Sequence, residues 1–297
     1  MSHWIAVDWG TSRLRATRMD GGTAQETRES DDGMSRLTRD MFESRLLSLI
    51  DDWLNDPTGG PTKIIACGMA GSRQGWAEAP YVATPCAPLA ARLTQVETAD
   101  PRLDVHIVPG ISQTAPHPDV MRGEETQIAG VLSENKDFDG IACLPGTHTK
   151  WAHISAGEVV SFRTTLTGEL FATLCSQTVL RHSLTGGDWS EAPFLHAVSD
   201  ALSRPETLSA RLFELRAADL LQGQDATTAR STLSGLLIGA ELAATKPWWL
   251  GRDVIITGAE APSNAYAAAL KAQGVTPRIL PADTMTLAGL TAAKALI

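Results

Sequence analysis

The 297-residue sequence has only four cysteines, Cys67, Cys86, Cys143 and Cys175, and they stand far apart. None has the spacing of a metal site. Cys67 and Cys143 fall in apolar, strand-like runs and are expected to be buried, reduced thiols. Basic residues are also in short supply. The 25 Lys and Arg are outnumbered by 34 Asp and Glu, for a net charge of −9. That argues against general binding to nucleic acid or to an anionic membrane. It leaves room for an anionic small substrate, which needs only a local basic site. No apolar run reaches membrane-spanning length, and no signal pattern precedes the first strand. A cytoplasmic protein is the expectation. What is present is a globular composition, 43% hydrophobic and 20% charged. The length suits two medium domains of about 100–200 residues each.

The chain is organised around its first strand and the turn after it. The apolar run Trp4 to Val7 ends on a carboxylate, Asp8, and a tight Gly10-Thr11-Ser12 turn follows. Alternation resumes through Leu14, Ala16 and Arg18, so a second strand doubles back as a hairpin. The chemistry suits a nucleotide. Asp8 leaves the strand end as an acceptor for hydrated Mg²⁺. Gly10 lets the backbone approach an anion, and the amides and hydroxyls of Thr11 and Ser12 donate to phosphate oxygens. The plainer alternative is an ordinary hairpin whose Asp and Gly only make the turn.

Further along, Ala24–Ser30 reads as a third strand. A helix-period stripe from Leu37 to Trp53 predicts a helix over Ser35–Leu54, ended by Pro57-Thr-Gly-Gly-Pro61. Lys63–Cys67 is a short buried strand that opens into the polar, glycine-rich loop Gly68–Tyr81. A short helix near Ala87–Val96, a strand at Leu103–Val108 and a helix through about Asn135 complete the first half. Around Asp139 the plan begins again. Gly140–Leu144 is an apolar strand, and Pro145-Gly-Thr-His-Thr-Lys150 a second Gly-Thr turn. Returning strands follow at Trp151–Ile154 and Glu158–Thr164. Helices are expected at Gly168–Leu184, Ala192–Leu202, Leu208–Leu221 and Thr227–Ala244. Strand Asp253–Ala259, helix Pro262–Gln273, strand Arg278–Leu280 and helix Thr284–Leu296 close the chain. The reading is an α/β protein of two duplicated domains, residues 1–135 and 136–297, facing each other across a cleft with one phosphate turn on each wall. Two unrelated α/β domains are the alternative.

Five stretches carry a resemblance. They are Ala6-Val-Asp-Trp-Gly-Thr-Ser12, Gly68-Met-Ala-Gly-Ser-Arg-Gln-Gly-Trp76, Asp119-Val-Met-Arg-Gly-Glu-Glu-Thr-Gln127, Leu144-Pro-Gly-Thr-His-Thr-Lys-Trp151 and Thr167-Gly-Glu-Leu-Phe171. In this order they resemble the 2-dehydro-3-deoxygalactonokinase family, within the sugar kinase, hexokinase, actin and heat-shock chaperone superfamily. The likeness covers essentially the whole chain. It implies two actin-like, ribonuclease H-like domains with mixed sheets flanking a nucleotide cleft. It also implies ATP-dependent phosphorylation of the terminal 6-hydroxyl of 2-dehydro-3-deoxy-D-galactonate, in galactonate catabolism. Its partners are then the sugar acid and ATP, with Mg²⁺. A kinase for another sugar or sugar acid, and a non-catalytic ATP switch of the same superfamily, are the rival readings.

The resemblance also distributes roles. Asp8 would face the metal, and Gly10, Thr11 and Ser12 the phosphates. Gly146, Thr147 and Thr149 would close on the β- and γ-phosphates, with Lys150 supplying charge or standing as a solvated turn lysine. Pro145 stands where an Asp is common in the superfamily. The catalytic base would be Glu124, with Asp119 as runner-up. Of the neighbours Glu124 and Glu125, one is expected simply to face water, because adjacent helical residues do not share a face. Arg73 is the first choice for the substrate carboxylate, followed by Arg13 and Arg122, since a planar donor suits it. Ser72 and Gln74 would read hydroxyls. Trp76 would wall the sugar chain or anchor its loop on the core. Arg163 and Glu169 would shape the cleft. Gly258 and Ala259 would border adenosine, beside the helix Thr232–Ala243; a plain turn capped by Ser263 is equally compatible. Trp248-Trp249 serves either as a patch between copies of a homo-oligomer or as core packing.

Overall fold

The computed structural model describes residues 3–54, 60–186 and 188–297. The breaker expected at Pro57–Pro61 lies mostly outside them. The chain divides into two compact units. One comprises Met1–Asp139, Ile154–Ser161 and Ala282–Ile297; the other comprises Gly140–His153 and Phe162–Pro281.

The first unit is built on strands β1 (His3–Trp9), β2 (Leu14–Asp20), β3 (Thr23–Ser30), β4 (Thr62–Gly68), β6 (Thr94–Val96) and β7 (Leu103–Ile107). Their order is β3-β2-β1-β4-β7-β6. The first three form an antiparallel meander, β1, β4 and β7 run parallel, and β6 is antiparallel to β7. Strands β5 (Val82–Ala83), β8 (Ile111–Gln113) and β9 (Asp119–Met121) form a small separate sheet that the sequence reading lacks. Helices α1 (Phe42–Ile50), α2 (Glu124–Glu134) and α9 (Ala282–Lys294) belong to this unit.

Period-two alternation makes β1 two-faced. Ile5, Val7 and Trp9 enter a core with Phe42, Leu46, Ile50 and Ile107. Trp4 and Ala6 enter a second one with Ile65, Cys67, Leu290 and Ala293. Each large apolar side chain so buried contributes roughly 1.5–3 kcal/mol. The second core needs α9, the end of the chain. The sequence reading placed that helix with the C-terminal half. Glycines permit its close contact with α2. A Cβ on Gly130 would lie 2.0 Å from the Met285 carbonyl oxygen, and one on Gly289 would lie 1.9 Å from that of Thr126.

Two expected helices of this unit are corrected. The stretch Ser35–Leu54 is helical only over α1, flanked by 3₁₀ turns. The Met34 and Ser35 amides donate to the Gly10 and Thr11 carbonyls at 3.1 and 2.9 Å, which draws them out of any helix. No helix forms at 87–96; Ala87 precedes a proline, which disfavours helical backbone, and Thr94–Val96 adds an edge strand instead.

The second unit has strands β10 (Gly140–Leu144), β11 (Thr149–Ser155), β12 (Glu158–Thr165), β13 (Val254–Gly258) and β14 (Arg278–Pro281), in the order β12-β11-β10-β13-β14. The 154–161 tip of the β11–β12 hairpin groups with the first unit, where Val159 bridges Cys86. Helices α3 (Thr167–Gln177), α4 (Glu191–Ser203), α5 (Leu208–Gln222), α6 (Ala226–Ala244), α7 (Lys246–Trp249) and α8 (Glu260–Ala272) complete the unit. Helix α3 stops short of the expected Leu184, because Thr178 is extended and its hydroxyl accepts from the Leu180 amide to start a new turn. Trp249 is buried with Trp248 packed against the same core, so this pair is core packing. Cys67 and Cys143 are buried free thiols, as expected. Among the described residues no helix is long and apolar enough to cross a membrane.

Candidate active site

In the first unit the carboxylate of Asp8 sits near the end of β1, on the face shared with Trp4 and Ala6. Register sets Arg15 beside it on β2 and Cys67 beside it on β4. The Cys67 thiol reaches its Oδ1 at 3.8 Å. Burial pushes the Asp8 carboxyl above the usual range, Arg15 pulls it down, and Asp283 and Glu124 push it up again. Arg15 bridges Glu29 at 2.7 Å and also Asp283 on α9. Together with Thr17 these residues surround a small cavity of about 110 Å³.

The turn after β1 is closed by the Gly10 amide donating to the Arg13 carbonyl at 2.9 Å. Thr11 and Ser12 are exposed, free of the core. Arg13 is 69% exposed and pairs with Glu29 at 3.6 Å.

The loop after β4 is sorted by its packing. Trp76 is buried, its ring 6.0 Å from that of Trp9 and 6.4 Å from that of Phe42. It anchors the loop on the core and does not wall an open site. Ser72 is also buried, and its hydroxyl donates to the Met34 sulfur at 3.1 Å. Arg73 and Gln74 point outward, Arg73 being 80% exposed and 3.4 Å from Glu78. Arg122 acts as a strut. Its Nη2 donates to the Ala79 carbonyl at 2.8 Å and its guanidinium lies 4.3 Å from the Tyr81 ring centre. Its Nε and Nη1 are buried without a partner.

This strut leads straight into α2. Gly123 has φ +107°, a value that side chains resist, and a Cβ there would lie 3.4 Å from the Cα of Gly68. Gly68, also at positive φ, closes on the Trp9 carbonyl, with Asp8 alongside. The two glycines thus bring the start of α2 down onto the ends of β1 and β4. Glu124 is its first residue, and its Oε2 accepts from the Arg122 amide at 3.0 Å. A carboxylate is favoured at that helix end. Asp119, on β9, accepts from the Val120 amide at 2.8 Å. Of the paired glutamates, Glu124 is half-buried and keeps some exposure to solvent. Glu125 is fully buried, accepting from the Gly123 amide at 2.7 Å and from the Thr126 hydroxyl at 3.2 Å. Burial, with Glu124 adding to it, lifts its pKa to about 8 against the pull of the amides.

In the second unit the other Gly-Thr turn joins β10 to β11. Gly146, Thr147 and His148 are exposed. The start of α3 braces them: the Glu169 amide donates to the Thr147 carbonyl at 2.9 Å, and the Glu169 carboxylate pairs with His148. Gly168 is required here, since its Cβ would lie 2.1 Å from the Gly146 carbonyl oxygen. Gly168→Ala is therefore expected to destabilise by about 1–3 kcal/mol or more, read as a lower urea midpoint. An unchanged midpoint would show that the turn can move aside.

Thr149 and Lys150 are not turn residues but the first residues of β11, and both are buried. A solvated lysine is thereby excluded. The Thr149 hydroxyl meets the Tyr266 hydroxyl at 2.9 Å. Gly258 abuts Pro145, where a Cβ would come within 2.7 Å of its carbonyl oxygen. Ala259 is the N-cap of α8 and no side chain caps that helix. Ser263 lies inside it, buried, its hydroxyl without a partner like that of Thr257; the capping role expected of Ser263 is corrected.

A mostly apolar cavity of about 290 Å³ lies beside this turn. Gly146, Thr149, Phe171, Trp189, Ser234 and Tyr266 are among the residues that line it. Its size is at the low end of ligand pockets, ~300–1,000 Å³. Helix α6 borders it through Ser234, Leu237 and Ile238 and also packs in the core. Phe171, Trp189, Ser234 and Tyr266 had no assigned role. Nor had Glu241, a lone acid in the apolar run of α6; that lone charge was the available signal.

The model of the 2-keto-3-deoxy-galactonokinase family matches residues 8–293. A protein of Rhizobium meliloti (strain 1021) named "Probable 2-dehydro-3-deoxygalactonokinase" is 39% identical over 303 residues, covering 98% of this chain and 96% of its own. The 2-dehydro-3-deoxygalactonokinase of Escherichia coli (strain K12) is 32% identical over 295 residues, covering 97% of this chain and 96% of its own. The crystal structure of a "putative 2-dehydro-3-deoxygalactonokinase protein" from Sinorhizobium meliloti superposes with a TM-score of 0.91 at 38% identity, over 99% of this chain and 96% of that one. With a match of this kind along nearly its whole length, the chain belongs to the 2-keto-3-deoxy-galactonokinase family.

Proposed function

We propose that the protein transfers the γ-phosphoryl group of ATP to the terminal 6-hydroxyl of 2-dehydro-3-deoxy-D-galactonate, giving the 6-phosphate and ADP in the cytoplasm. The observation that carries this reading is the near full-length identity of 39% and 32% to relatives of that name. The shared strand order of the two large sheets supports two duplicated actin-like domains. On this reading the first unit binds the sugar acid and the second the nucleoside.

Phosphoryl transfer asks a protein mainly for positioning and charge stabilisation, with a base on the attacking hydroxyl. Glu124 is that base, held at the start of α2 by the Arg122 amide; Asp119 is the runner-up. Asp8 fits a divalent cation, because its carboxyl is desolvated and crowded by Asp283 and Glu124. Mg²⁺ takes one or two carboxylates and completes its shell with waters and phosphates. When bound, Mg²⁺ neutralises charge on the phosphates. The Gly10, Thr11 and Ser12 turn donates to the phosphates from the first unit, and the exposed Gly146 and Thr147 turn from the second. Lys150 sets a positive charge at the base of the latter. Arg73 and Gln74 are the accessible groups for the sugar acid. Ser72, Trp76 and Arg122 hold their loop, and Arg13 is paired with Glu29. The apolar cavity between α3, α6 and α8, next to Gly258 and Ala259, takes the adenosine.

The test is ADP release by the purified chain. Release should rise many-fold on addition of 2-dehydro-3-deoxy-D-galactonate and remain at background with neutral sugars and other sugar acids. A better response to another acid would move the assignment to that substrate. ATP hydrolysis indifferent to all of them would point to a switch.

A further inference from the structure

The apolar cavity beside the Gly146 turn keeps most of its polar groups to itself. The Thr149 and Tyr266 hydroxyls are buried and meet at 2.9 Å. Tyr266 also donates at 2.7 Å to buried Glu241, which accepts from Trp151 Nε1 at 2.6 Å and from the Thr167 hydroxyl. These bonds are satisfied inside the protein. An occupant therefore meets mainly the rings of Phe171 and Trp189 and the aliphatic groups of Leu237, Ile238 and Pro262.

Of the eight tryptophans, only Trp189 is exposed, at 50%. A lone exposed aromatic is ordinary, but this one is fixed in place. The Asp188 amide donates to the Thr227 hydroxyl at 3.0 Å, and the Ser190 amide donates to the Ser231 hydroxyl at 2.9 Å. The backbone is thus pinned to α6 on both sides of Trp189. Its ring lies 5.5 Å from that of Phe194, which is wholly buried. Phe171 is held from the same helix. The Arg230 guanidinium lies 5.2 Å from its ring centre, and Arg230 Nη1 donates to the Leu184 carbonyl at 3.0 Å. Thr227, Arg230, Ser231, Ser234 and Ile238 share one face of α6, by their spacing. The helix face that lines the cavity therefore also anchors both of its aromatic rings. Anchoring in advance removes the entropy that a loose side chain loses on binding.

Taking this cavity as the nucleoside site, as the kinase reading does, we propose that Trp189 recognises the base by stacking on it, with Phe171 completing an aromatic lining. Selection is then by ring area. A bicyclic purine overlaps the indole more fully than a pyrimidine does, so the site prefers purine nucleotides. Trp189 is a specificity-determining residue for the phosphoryl donor and has no part in binding the sugar acid.

The experiment is a titration of the full chain with ATP, CTP and tripolyphosphate, read by tryptophan emission and by calorimetry, beside steady-state kinetics. ATP should quench the emission, CTP should quench it less and bind more weakly, and tripolyphosphate, which has no base, should leave it unchanged. In Trp189→Phe, which keeps a ring, ATP should still bind but the larger part of the quench should be gone. In Trp189→Ala, KM for ATP should rise by about 5- to 100-fold, the range for loss of one base–aromatic stack. KM for the sugar acid should hold, and the preference for ATP over CTP should shrink. If Trp189→Ala does not fold, the Trp189→Phe titration decides. A quench of full size in Trp189→Phe would overturn the proposal. So would equal affinity for ATP and CTP in the wild type, or a folded Trp189→Ala with unchanged KM for ATP. Sugar-acid-dependent turnover without any quench by ATP sinks the proposal alone. A base-dependent quench with no sugar-acid-dependent turnover sinks the kinase reading and leaves the base site standing.

Discussion

Glu124→Gln should lower turnover by about 10²- to 10⁴-fold, the usual contribution of a positioned general base. The substitution keeps the shape of the side chain and an oxygen for the Arg122 amide, now 3.0 Å away. The start of α2 should therefore stay in place. What is lost is the ability to accept the proton of the attacking hydroxyl. ATP binding should change little, because the cavity proposed for the nucleoside belongs to the other unit. Single-turnover kinetics together with a nucleotide-binding titration separate the two quantities. Near-normal turnover would remove Glu124 from the role. A comparable loss in Asp119→Asn, with Glu124→Gln active, would transfer it to Asp119.

Glu125 makes stability fall as pH rises. Its pKa is about 8 in the folded protein against 4.5 for the ordinary side chain, and burial is the main cause. Between those values the native state keeps a proton that the unfolded chain releases. The unfolded state therefore gains as pH rises through this window, and the loss levels off above about 8. At about 1.4 kcal/mol per pH unit the effect reaches a few kcal/mol. Glu125→Gln imitates the neutral form and keeps an acceptor for the Gly123 amide. It should flatten the dependence of the urea midpoint on pH and raise the midpoint at pH 8.5 above that of the wild type. Asp8 and Glu241 also have raised pKa values. Their contribution is common to both proteins, so the difference isolates Glu125. Identical slopes would show that Glu125 is not the titrating group.

Much of the architecture was legible as pattern. Continuous apolar runs marked β1, β4, β10 and β13, and alternation marked β2. Helical stretches were read where α4, α5 and α6 stand, and a helix-period stripe marked α1. Each of these elements carries its own periodicity, set by which face it buries. The motifs in which Asp8, Gly10, Gly146 and Glu124 stand were visible for a related reason: a turn or helix end needs particular residues locally. The errors fell where a distant partner overrides the local signal. Ser35 sits in a helical pattern, but its amide is taken by Thr11. For Trp76 the sequence left two readings open, and Trp9 and Phe42 decide for the loop anchor. Lys150 reads as part of a turn, but β11 begins one residue before it.

From the sequence alone came the element types, the two Gly-Thr turns, the acidic pair at the start of α2 and the family. The tertiary structure decided which of those residues are buried, which are exposed and what each one bonds to. It placed α9 on the first sheet, buried Glu125 beside Glu124, and ringed Glu241 with donors from three other elements. The physical reason is that burial and hydrogen-bond partnership are properties of surroundings assembled from remote parts of the chain. A stretch of sequence specifies its own backbone preferences, whereas a charge or a hydroxyl proton answers to whatever the fold packs around it.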